Sequence, residues 1–272
     1  MRAVILAAGR GRRLRDVIGE RPKCLARIGD RTLIERQIRS LRACGIDAIA
    51  VVAGFHALDV RRTCGPGVDL ITNARHASTD SLYSLWLARD LLLDGFVVLN
   101  CDVLFHDQLL RDLLTARDED ALLMAANRGD RYSDEEMKIR ARCGCVADIA
   151  KTIEPADADG ENVGIAKFGE AGAAALVAAM HDILAAGGAR EWLPRAFAAF
   201  AAKRPLRIVE TRGYPWIEID VPEDYWRACT DVLPSMTDGV PCMSASTISA
   251  SDRSRSAPIP TTSIRAASTP RR

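Results

Sequence analysis

The sequence predicts an α/β protein whose mostly parallel, mixed sheet is flanked by helices. Over roughly the first hundred residues, short apolar runs alternate with segments of helical periodicity. That alternation is typical of parallel strands joined by right-handed helical crossovers. From about residue 121 the pattern changes to short strands with few helices between them, which predicts a mixed region added to the same sheet. Large apolar side chains become rare after residue 235.

The first part of the chain contains the patterns of a parallel sheet with its crossover helices. An apolar stripe at helical spacing predicts a helix over residues 32–45, which Gly45 ends, and a second helix of the same kind is predicted over residues 81–93. Four apolar runs predict strands buried on both faces, at residues 3–8, 48–54, 68–72 and 95–102.

The second part of the chain predicts more strands, two Ala-rich helices and a tail. The helices are expected at residues 171–186 and 191–203. Residues 235–272 are rich in Ser, Thr and Pro and cannot bury enough apolar surface to offset their ordering entropy. We therefore expect one domain over residues 1–230 and a disordered tail over residues 235–272. The strands of this part are predicted at residues 121–126, 137–142, 145–151, 162–168, 206–211 and 216–220.

Composition excludes several classes of function. The 272 residues contain 37 Lys and Arg against 36 Asp and Glu, so we expect no nucleic-acid partner and no charge-driven attachment to a membrane surface. No apolar stretch is long enough to cross a bilayer, and the first residues lack the pattern of a signal-peptide cleavage region. The eight cysteines do not follow the spacing of a zinc site. The expectation is a cytoplasmic protein without membrane insertion.

The loop after the first strand, in the stretch "AVILAAGRGRRL", indicates a negatively charged ligand. Gly9 and Gly11 allow backbone N–H groups to face that ligand, and arginines at 10, 12 and 13 add guanidinium groups, a combination that suits a polyphosphate. Leu14 stands where the dinucleotide fingerprint requires its third glycine, and no Gly-Lys-Ser/Thr follows. The loop is therefore neither an NAD-binding turn nor a Walker A loop.

Charged residues follow this loop at positions where they can act on a phosphate. Lys23 comes directly after Pro22, on a rigid extended segment, and a lysine there can serve as a point charge. Asp102 and Asp220 each end an apolar strand, and Glu218 alternates onto the same face as Asp220. Two carboxylates from separate strand ends beside a phosphate loop are the hard oxygen ligands that Mg²⁺ requires. The sequence therefore predicts a magnesium site at Asp102 and Asp220.

These stretches together resemble the nucleotidyltransferases that activate sugar phosphates and phospho-alcohols. The resemblance covers about residues 2–230, with its motifs in the family's order, and implies a Rossmann-like fold of the nucleotide-diphospho-sugar transferase type. The middle of the chain is similar to the phosphocholine cytidylyltransferase branch. The stretches that carry the resemblance are "AVILAAGRGRRL", "RPKCL", "NCDVLF" and "EID", and, for the branch, "STDSLYSLWLARD", "DEEMKIR", "DIAKTI", "GENVGIAKF" and "YPWIEIDVPEDYWRA".

The resemblance implies a role for each matching residue. Residues 1–120 would bind the nucleotide and residues 121–230 the acceptor. Arg13 would bind the β- and γ-phosphates, Lys23 would neutralise the α-phosphate, and Lys151 would hold the incoming phosphomonoester. Asp102 and Asp220 would hold Mg²⁺. The nucleotide-binding positions would be Leu6, Ala8, Gly9, Gly11, Thr79 and Ser81, and the acceptor pocket would include Asn162 and Gly164.

The acceptor itself stays open between several chemical classes. An acceptor with a quaternary ammonium would need an aromatic cage, for which Trp192, Tyr214 and Trp216 are candidates with Glu191 as a counter-charge. An aminoalkylphosphonate would need a carboxylate. A sugar or inositol phosphate would use polar groups such as Glu161 and Asn162.

The resemblance implies Mg²⁺-dependent transfer from CTP to a small phosphomonoester, giving a CDP-activated precursor for surface glycans, lipids or phosphonates. Two departures leave alternatives open: Arg12 replaces the usual Ser or Thr, and "TDS" at residues 79–81 replaces the usual Thr-Asn-Asn. The second departure keeps a sugar-1-phosphate nucleotidyltransferase that uses GTP, UTP or dTTP as a rival. A regulatory domain that binds nucleotide without turnover is the alternative from another class.

Overall fold

The computed structural model describes residues 1–126 and 135–236. By internal contacts the chain divides into two units, Met1–Pro241 and Cys242–Arg272, and the second unit lies outside the described residues. The predicted tail therefore lies outside them too, except for its first two residues. Ser235 ends the last helix of the described residues, and Met236 packs against a small apolar cluster.

A nine-stranded mixed sheet forms the centre of the described domain, in the order β5-β4-β1-β6-β11-β8-β12-β10-β9, with β9 also paired to β11. The described strands, nine of which form this sheet, are β1 Arg2–Ala7, β2 Arg27–Ile28, β3 Arg31–Thr32, β4 Ile49–Ala53, β5 Val68–Thr72, β6 Phe96–Asn100, β7 Val103–Phe105, β8 Ala121–Ala126, β9 Lys138–Arg142, β10 Cys145–Ala150, β11 Gly160–Phe168, β12 Arg207–Glu210 and β13 Trp216–Glu218. Strands β5, β4, β1 and β6 are parallel, β11 is antiparallel to its neighbours, and β8 and β12 are again parallel.

Helices cover both faces of this sheet. They are α1 Arg15–Ile18, α2 Leu33–Ala43, α3 Ala57–Cys64, α4 Ser81–Trp86, α5 Asp107–Thr115, α6 Glu170–Ala185, α7 Pro194–Ala201, α8 Pro222–Arg227 and α9 Leu233–Ser235. Strand β1 shows how the two layers form, because Ala3 and Ile5 point into the core under α2, α3 and α5, whereas Val4 and Leu6 point into the core under α4, α6 and α7. Helix α2 begins at a capping box between Thr32 and Glu35.

The predicted α/β class with a mixed sheet is confirmed, and two helices differ from their predicted bounds. Helix α4 ends at Trp86, and a 3₁₀ turn then covers Arg89–Leu91; the Arg89 side chain donates a hydrogen bond to the Trp86 carbonyl, and its guanidinium lies over the Trp86 ring. Helix α7 begins at Pro194, because proline suits the first turn of a helix and not its interior.

In the described part of the chain, no helix combines the length and the apolar character that a bilayer crossing needs.

Candidate active site

A cavity of about 600 Å³ opens at the carboxyl ends of β1 and β6. This is the edge of a parallel sheet at which ligands bind. We call it the first cavity. It brings together most of the residues singled out from the sequence: Leu6, Ala8, Gly9, Gly11, Arg13, Lys23, Thr79, Ser81, Asp102, Lys151, Asn162, Trp192 and Asp220.

The glycine loop at the mouth of this cavity is shaped by a close contact with Lys23. Gly11 has φ of 62°, in the left-handed region that favours glycine. A Cβ atom at that position would lie 2.5 Å from the Lys23 Cγ atom. Glycine at residue 11 therefore allows both the turn of the loop and the approach of the lysine stem.

Lys23 joins the two predicted metal ligands. Its Nζ atom lies 3.1 Å from Asp102 Oδ2 and also contacts Asp220 Oδ1, while Arg13 Nη2 lies 2.8 Å from Asp220 Oδ2. Burial alone would lower the pKa of Lys23, but the Asp102 and Asp220 carboxylates outweigh it and hold that pKa above its usual value. Burial likewise pushes the pKa of Asp220 upward, and Lys23 and Arg13 reverse that effect and lower it. These pKa shifts keep Lys23 and Asp220 charged at neutral pH.

The fold brings the acids together through a short antiparallel pair. Strand β13 pairs with β7 so that Glu218 lies opposite Val103, and the Ile219 N–H donates to the Asp102 carbonyl over 3.0 Å. Carboxylate oxygens of Asp102, Glu218 and Asp220 lie within 4.8 Å of one another. The pairing of two distant segments thus builds a three-carboxylate cluster.

This cluster has the donor chemistry of a divalent-cation site. The Oδ1 atom of Asp102 is buried and has no hydrogen-bond partner among the described residues. Burial, together with the Asp102 and Asp220 charges, raises the pKa of Glu218 well above its usual value. Clustered carboxylate oxygens, one of them buried without a partner, fit Mg²⁺, whose preferred partners are one or two carboxylates plus phosphates. The metal ligands predicted from the sequence were Asp102 and Asp220. Glu218 was not among them, although strand alternation had placed it on the same face as Asp220.

The segment expected beside the base is held by side-chain hydrogen bonds. Asn73 Nδ2 lies 3.1 Å from Thr79 Oγ1, and Thr79 Oγ1 donates to the Arg75 carbonyl over 3.0 Å. The Ser81 hydroxyl accepts a hydrogen bond from the Leu193 N–H over 2.8 Å. The Thr79 and Ser81 side chains therefore fix this wall of the first cavity.

The five predicted acceptor residues do not share one cavity. Asn162 and Trp192 line the first cavity, whereas Glu161 and Trp216 line a second cavity of about 630 Å³. Gly164 lines neither; it has φ of 82°, and a Cβ atom there would lie 2.7 Å from the Asn100 side-chain nitrogen. Successive residues of a strand point to opposite faces, so β11 sends Glu161 and Asn162 apart.

The two cavities meet at a shared wall of charged residues, namely Arg13, Glu135, Glu218 and Asp220. Glu135 accepts from Arg13 over 3.1 Å and lies 3.6 Å from Lys151 Nζ. In the second cavity, burial and the neighbouring Glu136 charge raise the pKa of Glu161 to about 7, with Lys138 acting in the opposite direction. Sequence reasoning did not single out Glu135, although it lies in the quoted stretch "DEEMKIR".

Residues 3–202 match the family described as MobA-like NTP transferase domain. The chain belongs to this family. The match spans most of the described domain, from β1 to the end of α7, and confirms the predicted nucleotidyltransferase class.

Relatives of this MobA-like NTP transferase chain are named as transferases, and one of those reported below is named as a cytidylyltransferase. The chain is 35% identical over 115 residues to "Choline-phosphate cytidylyltransferase" of Streptococcus pneumoniae, a match that covers 42% of this chain and 50% of the relative. It is 31% identical over 229 residues to "Bifunctional IPC transferase and DIPP synthase" of Rubrobacter xylanophilus, covering 82% of this chain and 50% of the relative. The chain thus spans about half the length of these curated relatives.

A solved structure supports the fold of the MobA-like domain. The inositol-1-phosphate CTP transferase from T. maritima superposes with a TM-score of 0.73 at 20% sequence identity, over 89% of this chain and 98% of that chain. At this identity the likeness concerns the fold, and it confirms the predicted nucleotide-diphospho-sugar transferase type.

Proposed function

We propose that this chain transfers CMP from CTP to a small phosphomonoester or phosphonate, with release of pyrophosphate. The observation that carries the proposal is the Lys23 ammonium bound between Asp102 and Asp220, directly beside the Gly9–Gly11 loop of the first cavity. A cation and a carboxylate cluster at a phosphate-binding loop suit phosphoryl chemistry. The names of the relatives favour CTP as the donor.

The carboxylates of Asp102, Glu218 and Asp220 would hold Mg²⁺, in agreement with the unpartnered Asp102 Oδ1 atom. When bound, the ion neutralises charge that develops on the transferred phosphoryl group. Lys23 contacts two of these carboxylates and supplies a second positive charge, which acts without transferring its proton.

The remaining residues of the first cavity bind and orient the two anionic reactants. The backbone N–H groups of the loop and Arg13 hold the β- and γ-phosphates, and Lys151 holds the phosphate of the acceptor. An acceptor oxygen attacks the α-phosphorus, one P–O bond forms, the α–β P–O bond breaks, and pyrophosphate leaves. A phosphate dianion is already a nucleophile, so neither a covalent intermediate nor a general base is required, and the catalytic gain comes from positioning and charge stabilisation.

Pyrophosphate release with Mg²⁺ tests this proposal. The four ribonucleoside triphosphates and dTTP would be crossed with phosphocholine, phosphoethanolamine, 2-aminoethylphosphonate, inositol phosphate, glycerol phosphate and several sugar 1-phosphates. We expect release with CTP and a non-sugar acceptor, and no release with Asp102→Asn. Release with a sugar 1-phosphate and another triphosphate would favour the rival transferase. If no pair of triphosphate and acceptor released pyrophosphate while the chain still bound nucleotide, the regulatory domain would be favoured.

A further inference from the structure

A loop between α6 and α7 joins the two sides of the first cavity. The Asp80 N–H donates to the Ala189 carbonyl over 3.1 Å, and the Leu82 N–H donates to the Glu191 carbonyl over 3.3 Å. Together with the Ser81–Leu193 hydrogen bond described above, these contacts attach the loop to the start of α4. The position of the loop is therefore tied to the segment expected beside the base.

Asp80 departs from the usual behaviour of its residue type. It occupies the N-cap position of α4, where aspartate normally accepts hydrogen bonds from the first turn, yet its side chain makes no capping bond. Instead, its carboxylate lies near the Trp192 indole and the Arg190 guanidinium. The preference of aspartate for capping its own helix is often overridden where the side chain instead makes a contact in the tertiary structure.

The Trp192 ring lies against Lys151, the lysine proposed above to hold the acceptor. The Lys151 Nζ atom lies 4.5 Å from the Trp192 ring centroid, within the range of a cation–π interaction. On its other side Lys151 faces Glu135, which also accepts from Arg13. Trp192 remains 48% exposed, which is unusual for an indole that serves only to fill a core.

We propose that Trp192 is a positioning residue, whose ring holds the Lys151 ammonium at the wall of the first cavity while Asp80 fixes the ring. The inference rests on the proposed function, because it concerns how the acceptor-side lysine is placed. A flexible lysine stem loses rotamer freedom when it is held, and the indole lowers that cost before the acceptor arrives. The contacts connect the start of α4 to Lys151 through one side chain.

Kinetics of four variants test the proposal. Trp192→Leu should lower kcat/KM for the acceptor by about tenfold, while KM for the triphosphate changes little. Trp192→Phe keeps an aromatic face and should recover most of that loss. In a Lys151→Met background, Trp192→Leu should cause no further loss, since the group it positions is gone. The control is Trp226→Leu, which removes an exposed indole of α8 outside both cavities and should leave both constants unchanged.

A second measurement does not depend on turnover. The chain has four tryptophans, and Trp192→Phe identifies the indole N–H resonance of Trp192 in a nitrogen–proton correlation spectrum. Asp80→Asn and Lys151→Met should each shift that resonance in the otherwise intact protein. An unmoved resonance, or an equal Trp192→Leu loss with and without Lys151, would overturn the proposal. Absence of turnover with every acceptor, while the resonance still responds, would remove the proposed function and leave the positioning of Lys151 standing.

Discussion

Replacement of Glu161 by Gln should stabilise the protein at alkaline pH. The pKa of this carboxyl is raised from 4.5 to about 7, because the group is buried and faces Glu136. Between these two values the folded chain keeps a proton that the unfolded chain has lost, so stability falls as pH rises. Above the folded pKa the ionised carboxylate costs at most about 3 kcal/mol, the free-energy equivalent of the shift. A glutamine of the same shape carries no such cost.

Urea unfolding followed from about pH 5 to about pH 9 measures this effect. The wild type and Glu161→Gln should have similar free energies of unfolding at the acidic end. The variant should gain stability relative to the wild type as pH rises from about 4.5 to about 7, and above that it should stay more stable by up to about 3 kcal/mol. Glu170→Gln is a matched control, because Glu170 is an exposed carboxylate at the start of α6, where water solvates its charge.

A constant difference between Glu161→Gln and the wild type across the whole pH range would refute the reasoning. It would mean that the Glu161 carboxylate is as well solvated in the folded chain as in the unfolded one. A Glu161→Gln variant that is less stable than the wild type at high pH would contradict even the sign of the effect. It would show that the ionised Glu161 carboxylate has a favourable partner in the second cavity.

Four further outcomes follow from the site and the tail. Lys23→Met should lower turnover by about a hundredfold or more in single-turnover kinetics, and an equal loss in nucleotide affinity by calorimetry would contradict its role in charge stabilisation. Asp102→Asn should abolish the rise in melting temperature that Mg²⁺ and CTP cause together; a retained rise would exclude it as a ligand. Gly11→Ala should destabilise the fold by about 1 kcal/mol and slow turnover, because a methyl group displaces the Lys23 stem; unchanged turnover would show that the stem can move aside. Deletion of residues 237–272 should leave the melting temperature within about a degree, and a drop of several degrees would contradict the predicted disorder.

The parallel half of the sheet could be predicted from the sequence because each strand is apolar and ends at a polar or glycine residue. Strand β5 runs from Val68 to Thr72 as predicted, but the prediction that it is buried on both faces is wrong, because it lies at the edge of the sheet and only Val68 is buried. Helix α3 was not predicted, because only Val60 and Cys64 of its eight residues are buried and their stripe is too short to give a clear period. The pairing of β7 with β13 was missed for another reason, since three-residue strands have no periodicity at all.

The candidate site could be predicted where its signals are local. The glycine loop, Lys23 after proline and the two strand-end acids all stand out in short windows of sequence. The ion pairs between them could not be predicted, because Lys23 meets Asp102 across 79 residues and Asp220 across 197 residues. Glu135 lacked a local signal as well, since its contact with Arg13 joins residues that are 122 positions apart in the sequence.

Strand geometry also explains why the acceptor residues could not form the single pocket that their proximity in sequence indicated. Glu161 and Asn162 are neighbours in β11, and alternation sends their side chains into different cavities. An acceptor whose phosphate is held by Lys151, next to Glu135 of the wall shared by both cavities, can extend its other end into only one of them. The first cavity offers the Asn162 amide and the Trp192 indole, and the second cavity offers the Glu161 carboxylate and the Trp216 ring. We therefore expect the chemistry at the far end of the acceptor to decide which face of β11 it contacts.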